Sequence, residues 1–243
     1  MISLVKKIIL SILIWLLESI LLIALYLAML LCAILFYPFD KKRAFTHRQC
    51  FWWSDAAIAI NPYWKLEITG LNNIDKKRTY IIIANHQSMA DIVVAYKLKM
   101  QFKWVAKESL FKIPFVGWSL GLAKHIKLER GNLGSIKKVY RETSHWLRSG
   151  ISILFFPEGT RSETNEMGDF RNGAFKLAIK EHVPILPIKF EGTSTSIPKG
   201  SWIFTTKTSA KLKILPPIET TDYRPADFVK LKDLARSVLE KEF

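Results

Sequence analysis

The first 40 residues carry an almost unbroken apolar run. Apolar side chains fill residues 8–37 except at Ser11, Glu18 and Ser19. As one helix this run would extend about 45 Å, more than the roughly 30 Å hydrocarbon core of a bilayer. A secretory signal has a shorter apolar region followed by a small-residue cleavage site, which this stretch lacks. We therefore expect residues 1–40 to form an N-terminal membrane-anchoring helix that is retained.

The next segment, residues 41–62, is basic and aromatic. Lys41 to Arg43 supply positive charge directly after the apolar run, and Trp52 and Trp53 follow. Such a composition after an anchor is typical of a segment lying in the membrane interface, although the same aromatics would also fit a protein core. The positive charge on this side predicts that the following domain faces the cytoplasm, on a bacterial-type inner (cytoplasmic) membrane.

From residue 63 to the end at residue 243, strand-like and helix-like segments alternate. The strand candidates are Trp64–Thr69, Tyr80–Ala84, Phe102–Ala106, His125–Leu128, Ile151–Phe156, Ile185–Glu191 and Lys211–Leu215. The helix candidates are Met89–Lys99, Phe115–Ala123, Gly134–Arg148, Gly173–Glu181 and Pro225–Glu242. This alternation predicts an α/β domain over residues 63–243, in which a central, mostly parallel sheet is flanked by helices.

Charge narrows the set of partners. The formal net charge of +15 favours an anionic partner, either nucleic acid or an anionic membrane surface. No nucleic-acid-binding module is visible in the sequence, and the anchor explains the basic character better, so we expect the lipid bilayer and no nucleic acid. The two cysteines do not suggest a disulfide framework, which favours a reducing compartment.

One polar stretch follows the strand candidate Tyr80–Ala84 and contains His86 and, five residues later, Asp91. The carboxyl end of a strand is where open α/β sheets place their chemistry. Ser88 to Asp91 is typical of a capping box at a helix N-terminus, which lets the chain fold back and pair Asp91 with His86. Such a pair leaves one imidazole nitrogen free as a general base. A structural interpretation stays open here: Asp91 only caps the helix, and His86 only leaves the strand.

A second polar loop, Pro157-Glu-Gly-Thr-Arg-Ser162, follows another apolar strand candidate. Gly159 lets backbone amides approach a ligand, Thr160 adds a hydroxyl, and Arg161 adds a forked cation suited to phosphate. Arg130 ends a further strand candidate and Arg171 opens a helix candidate. Each arginine alone is also typical of a solvated loop, but their shared placement at strand ends predicts a site for an anionic ligand.

Four blocks occur in the order of a known family. They are Asn85–Asp91 (Asn-His-x4-Asp), Lys124–Asn132 (ending in an acidic residue and arginine), Phe156–Ser162 (Phe-Pro-Glu-Gly-Thr-Arg-Ser) and Val183–Ile188 (Val-Pro-Ile-Leu-Pro-Ile). On these blocks, residues 62–217 resemble the lysophosphatidic acid acyltransferases (1-acylglycerol-3-phosphate O-acyltransferases) of the glycerolipid acyltransferases. Lys127 and Glu129 depart from the family's usual apolar residue and aspartate in the second block.

The resemblance implies transfer of a fatty acyl group from a thioester donor to the free hydroxyl of a lysophospholipid, most simply lysophosphatidic acid to phosphatidic acid in phospholipid biosynthesis. His86 would be the base, and Asp91 would orient and charge-stabilise it. The implied substrate-binding residues are Arg130, Glu158, Gly159, Thr160 and Arg161, with both arginines on the phosphate. The donor would be acyl-CoA or acyl carrier protein, and the resemblance implies neither a bound cofactor nor a metal.

Two other functions compete with this one. Gly117-Trp-Ser-Leu-Gly121 fits the nucleophile elbow of α/β-hydrolases, and Asp169 and His182 follow Ser119 in the hydrolase order. Pro114, shortly before this stretch, argues against the strand that an elbow requires. The third possibility is a non-catalytic membrane protein that binds lipid and has kept the fold.

Overall fold

The computed structural model describes residues 4–162, 166–196, 202–204 and 207–241. Within them, the strands are β1 (Trp64–Thr69), β2 (Ile81–Ala84), β3 (Phe102–Lys107), β4 (Ile126–Leu128), β5 (Ser152–Phe155), β6 (Ile185–Glu191) and β7 (Thr208–Ile214). The helices are α1 (Leu4–Leu35), α2 (Ala44–Ile60), α3 (Ala90–Ala95), α4 (Val116–Leu122), α5 (Leu133–Arg148), α6 (Gly173–Glu181) and α7 (Phe228–Lys241). Residues 1–3 of the expected anchor and Glu242, the predicted end of the last helix, lie outside the described residues.

The strands form one sheet in the order β1-β7-β6-β2-β5-β3-β4. Neighbouring strands are parallel except β6 and β7, which are antiparallel. In the centre, Ile82 of β2 lies opposite Leu154 of β5 and Leu186 of β6. All four residues of β2 are buried because helices cover both faces, as its continuous apolar run predicts. The predicted fold class, a mostly parallel sheet flanked by helices, is confirmed.

The chain leaves β2 and β5 in opposite directions. After β2 it passes through α3 to β3, on the far side of β5, whereas after β5 it passes through α6 to β6, on the far side of β2. The two connections also pack on opposite faces of the sheet. The carboxyl ends of β2 and β5 therefore border a crevice, which is the usual ligand site of an open α/β sheet.

Two apolar cores lie on the two faces of the sheet. Ile82 and Ala84 of β2 belong to the core that α1 to α4 cover, and Ile81 and Ile83 belong to the core that α5 to α7 cover. This division follows from the alternation of side chains along a strand. The two helical layers thus fix the sheet from both sides and leave its carboxyl edge open.

Helix α1 is 32 residues long, about 48 Å at the α-helical rise. Its most apolar 18-residue window has a mean hydropathy of 2.7, and only 17% of that window is buried. By length and composition it could therefore cross a membrane. Leu25 and Met29, on its inner side, pack into the first core, and Tyr26 contacts the rings of Phe115 and Trp118 near α4.

The basic and aromatic segment 41–62 forms helix α2, which the sequence interpretation did not predict. Cys50 and Ala57 are buried, and Trp53 packs against the first core. Trp52, one position earlier, is exposed. The segment therefore contributes part of its aromatic content to the core, as the alternative interpretation of these residues required.

His47 of α2 is fully buried, with its ring against those of Tyr96 and Phe102. Burial, together with the positive charge of nearby Lys103, lowers the pKa of His47 to about 3. The imidazole is therefore neutral in the folded protein over the whole physiological range. Lys103 is itself buried, and its ammonium group donates to the carbonyl oxygens of Lys42 and Ala123 at 3.0 and 2.6 Å. This contact ties the α1–α2 connection to the sheet.

Replacing His47 by leucine should reduce the loss of stability in mild acid. In the unfolded chain the imidazole has its ordinary pKa of about 6.5 and takes up a proton below that pH, whereas the folded protein does not. Each pH unit between about 6.5 and about 3 therefore costs the wild type up to about 1.4 kcal/mol that His47→Leu does not lose. Thermal unfolding of both proteins in detergent from pH 7.5 to pH 4.5 measures the difference.

The exposed His145 of α5 supplies the control, because His145→Leu should leave the acid dependence unchanged. Parallel curves for the wild type and His47→Leu would contradict the burial of a neutral histidine.

Candidate active site

The structure pairs His86 with Asp91 at the carboxyl end of β2. The Nδ1 atom of His86 lies 2.8 Å from Oδ2 of Asp91. Because a carboxylate only accepts hydrogen bonds, this contact places a proton on Nδ1, so in the neutral imidazole Nε2 is the nitrogen without a proton. The imidazole side chain is 18% exposed and the carboxylate is fully buried. The imidazole is therefore accessible from solvent, and its carboxylate partner lies behind it.

The Asp91 carboxylate also organises the loop around it. Its Oδ2 accepts the backbone N–H groups of Gln87 at 2.7 Å and Ser88 at 2.9 Å. The second of these bonds is half of the predicted capping box. In a complete capping box the hydroxyl of Ser88 would accept from the amide of Asp91. Here it accepts from the amide of Ala90 at 3.3 Å. Asp91 is thus both a helix-terminal acceptor and the partner of His86, so the two interpretations of this residue describe one arrangement.

Two further contacts fix the histidine loop. The side-chain amide of Asn85 donates to the carbonyl of Phe190 at 2.9 Å, and its oxygen accepts from the Phe190 amide at 2.8 Å. Beyond the last residue of β2, the side chain of Asn85 thus takes the part of backbone groups in the hydrogen bonding between β2 and β6. The imidazole of His86 lies over the ring of Phe156, with ring centroids 4.0 Å apart. The ring plane is therefore held on one side by the loop that follows β5.

Glu158 connects the two loops of the crevice. One of its carboxylate oxygens accepts from the His86 amide at 2.8 Å and the other accepts from the Gly168 amide at 2.9 Å. In return, the carbonyl of His86 accepts from the Ser162 amide at 2.8 Å. Burial raises the pKa of Glu158. Both oxygens of this predicted substrate-binding residue are thus engaged with backbone groups, which places Glu158 as a support of the loops.

Gly159 has a φ of +74°, which favours glycine. A Cβ atom at this position would lie 2.7 Å from Nε of Arg171, so the guanidinium group packs directly on the glycine. Thr160 and Arg161 are exposed and line a cavity of about 610 Å³ that Arg171 also borders. The sequence interpretation noted Arg171 but did not include it among the substrate-binding residues.

The pocket that contains His86 has a volume of about 330 Å³ and is lined by both apolar and cationic side chains. Its cations are Lys107, Arg130 and Arg171, and no carboxylate among the described residues lines it. An anionic ligand is therefore favoured beside the histidine. Arg171 lines both this pocket and the cavity of Arg161. Arg130 therefore shares the pocket of His86 with Arg171, whereas Arg161 lies in the neighbouring cavity.

An apolar cavity of about 320 Å³ lies beside the pocket of His86. Residues of α1 and α2 form one wall, and Trp104 and Leu110 line both this cavity and the pocket of His86. The apolar lining of the cavity suits a hydrocarbon chain. The cationic pocket and the apolar cavity thus meet close to the histidine.

The structure does not favour the hydrolase alternative. Ser119 lies inside α4, on the first face of the sheet, and does not follow a strand directly. His182 ends α6 on the opposite face, and Asp169 is paired with Arg236 of α7 at 3.1 Å. The three side chains therefore do not form a triad.

Comparison with known proteins gives consistent results. The Acyltransferase family model matches residues 65–191. The chloroplastic 1-acyl-sn-glycerol-3-phosphate acyltransferase of Arabidopsis thaliana is 36% identical over 169 residues, which cover 69% of this chain and 46% of that protein. The 1-acyl-sn-glycerol-3-phosphate acyltransferase of Pseudomonas aeruginosa is 32% identical over 139 residues, covering 57% of this chain and 53% of that protein. The chain spans about half the length of the curated relatives it matches.

A solved structure is similar over nearly the whole chain. The crystal structure of the 1-acyl-sn-glycerophosphate (LPA) acyltransferase PlsC from Thermotoga maritima aligns with a TM-score of 0.78 at 25% identity. The alignment covers 98% of this chain and 96% of that protein, so it includes the helices that precede the sheet.

Proposed function

Because the chain belongs to the acyltransferase family, we propose that it transfers a fatty acyl group from a thioester donor to the free hydroxyl of lysophosphatidic acid, giving phosphatidic acid. The observation that carries this proposal is the His86–Asp91 pair, which has a free Nε2 in a pocket lined by three cations and no carboxylate among the described residues. Relatives named 1-acyl-sn-glycerol-3-phosphate acyltransferases support the choice of acceptor.

The proposed reaction is a direct displacement. Nε2 of His86 accepts the proton of the acceptor hydroxyl while the oxygen of that hydroxyl attacks the carbonyl carbon of the thioester. The buried carboxylate of Asp91 stabilises the imidazolium that forms. The C–S bond then breaks, the new ester remains, and the imidazolium returns its proton to the leaving thiolate. No covalent enzyme intermediate is needed because the thioester is already activated.

We assign the acceptor phosphate to Arg171, which lines both the pocket of His86 and the neighbouring cavity. Arg130 lines the first of these and Arg161 lines the second. Guanidinium groups bind phosphate through paired N–H donors. Glu158 and Gly159 would act indirectly, since Glu158 ties the two loops together and Gly159 makes room for Arg171. The adjoining apolar cavity would bind the acyl chain of the donor. The donor is the acyl thioester of coenzyme A (acyl-CoA) or of acyl carrier protein.

The location of the substrates accounts for the N-terminal helix. Both lipids partition into a bilayer, so the site must lie at its surface. The exposed apolar surface of α1 is the part of the chain suited to hydrocarbon, and the basic segment after it suits anionic headgroups. We place residues 1–40 in the membrane as an anchor, residues 41–62 at the interface, and the acyltransferase domain of residues 63–243 at the cytoplasmic face.

His86→Ala and Asp91→Asn test the mechanism. Removal of the base should lower kcat about 10²- to 10⁴-fold, and Asp91→Asn should also lower it strongly because the carboxylate that fixes the tautomer is lost. The measurement is acyl transfer to lysophosphatidic acid by purified protein in detergent, with circular dichroism to verify folding. His182→Ala, at an exposed histidine that follows α6 and lines none of these cavities, is the control. Near-normal turnover by folded His86→Ala would refute the mechanism.

Arg161→Lys and Arg171→Lys test the phosphate site. An ammonium group cannot reproduce the two parallel bonds of a guanidinium, so each change should raise the KM for lysophosphatidic acid about tenfold or more and leave the donor KM unchanged. Arg78→Lys is the matched control, because Arg78 precedes β2 at the opposite end of the strands and pairs with Glu219. A raised donor KM with an unchanged acceptor KM would move these arginines to the donor site.

A charged variant of α1 tests the anchor. Leu13 and Leu16 are about half exposed, and glutamate at both positions would put two charges into hydrocarbon. We expect the wild type to sediment with membranes after a high-salt wash and Leu13→Glu/Leu16→Glu to be released in large part. Val229→Glu/Leu234→Glu, at two similarly exposed positions of α7, should remain with the membranes. A wild type found in the soluble fraction would contradict the assignment.

A further inference from the structure

A second basic cavity, of about 530 Å³, is bordered by α5 and α6. Its basic side chains are Lys137, Arg141, His145 and Arg148 of α5 and Lys180 of α6, all exposed. No carboxylate among the described residues lines this cavity. Two acidic residues adjoin its basic residues in the chain: Glu181, which is paired with Arg148 at 2.7 Å, and Glu142, which is paired with Lys138 at 3.7 Å. The cavity therefore offers a concentrated positive charge that no intramolecular partner neutralises fully.

The basic cavity adjoins the catalytic pocket. Tyr140 lines both, and a Cβ atom on Gly173, which also lines the catalytic pocket, would lie 3.3 Å from the hydroxyl of Tyr140. Helix α5 starts just after Arg130 and Gly131, which border the catalytic pocket, and runs away from it. From Lys137 to Arg148 the helix rises about 17 Å. The basic cavity is thus an extension of the active site along α5, and the tyrosine side chain separates the two.

We propose that the basic cavity binds the phosphorylated nucleotide end of an acyl-coenzyme A donor. This inference rests on the proposed function. In coenzyme A a long flexible arm separates the thioester from the nucleotide, so the nucleotide phosphates must bind at a distance from His86. Lysine and arginine side chains are suited to phosphate, and the volume of the cavity lies within the range of small-molecule sites.

The shape of the cavity favours the nucleotide over the other anionic carrier of acyl groups, a carrier protein. A protein partner covers a broad surface of roughly 800 Å² on each side. The basic side chains here instead converge on one concavity between two helices. Tyr140, which is half-buried at the junction of the two cavities, would flank the arm where it passes toward the thioester.

Charge reversal in the cavity tests the proposal. Arg141→Glu and Lys180→Glu should each raise the KM for acyl-CoA about tenfold or more, with kcat and the KM for lysophosphatidic acid unchanged. Lys138→Glu is the matched control, since Lys138 lies on the same helix, makes the same charge change and does not line the cavity. Unfolding temperatures of the three variants establish that each is folded.

Adenosine 3′,5′-bisphosphate, the nucleotide end without arm or acyl group, provides a second measurement. It should inhibit the wild type competitively against acyl-CoA but not against lysophosphatidic acid, and Arg141→Glu should weaken this inhibition about tenfold or more. An unchanged donor KM in both cavity variants, or an equal rise in Lys138→Glu, would overturn the proposal. So would a raised KM for acyl carrier protein donors alone, because the surface would then bind a protein.

The two proposals fail in different ways. A wild type that uses acyl carrier protein but not acyl-CoA would refute the nucleotide site and leave the proposed acyl transfer intact. A folded wild type with no turnover of either thioester would refute the proposed function itself.

Discussion

One buried carboxylate oxygen, Oδ2 of Asp91, fixes the geometry on which the site depends. It accepts three N–H groups, from Gln87, Ser88 and the imidazole of His86. A carboxylate without such partners would be very costly to bury. The loop must therefore wrap around this oxygen, and the imidazole can satisfy it only through Nδ1. The direction in which the base faces thus follows from the need to compensate a buried charge.

The same principle links the neighbouring strand ends. The side chain of Asn85 forms hydrogen bonds with both the N–H and the C=O group of Phe190, as a paired strand would. The carboxylate of Glu158 accepts from the amides of His86 and Gly168. Each contact joins a side chain to backbone groups of another segment. Hydrogen bonds of this kind are costly to break when buried, so β6 and the loops after β2 and β5 hold one another in place.

Much of the sheet follows from local sequence. The alternating residues of β1 and the largely apolar run of β6 predict the observed bounds, and the spacing of His86 and Asp91 beside a capping pattern predicts their pairing. Helix α2 was missed because its buried face contains Thr46, His47 and Ser54, so it shows no clean apolar stripe. Strand β7 begins three residues earlier than predicted because Thr208 pairs with Trp64, a partner 144 residues away that no local pattern reveals.

The sequence also does not predict which cavity each arginine lines. Placement at strand ends predicted that Arg130 and Arg161 would share a site with His86, yet whether a side chain enters one cavity or the next depends on how two loops pack. Gly159 decides this locally: without a Cβ atom it lets the guanidinium of Arg171 lie against the backbone. The position of Arg171 therefore depends on the absence of an atom, for which no residue pattern gives a direct signal.

The clamp between Asn85 and Phe190 joins residues 105 positions apart. A ribosome must therefore add more than a hundred residues after the histidine loop before that loop can take its final shape, whereas α1 precedes the loop in the chain and is made before it. Helix α1, with its exposed apolar surface, is therefore complete while the loop around His86 still lacks its final partner. A chain interrupted before Phe190 would expose the apolar surface of α1 but lack the hydrogen bonds that hold the histidine loop.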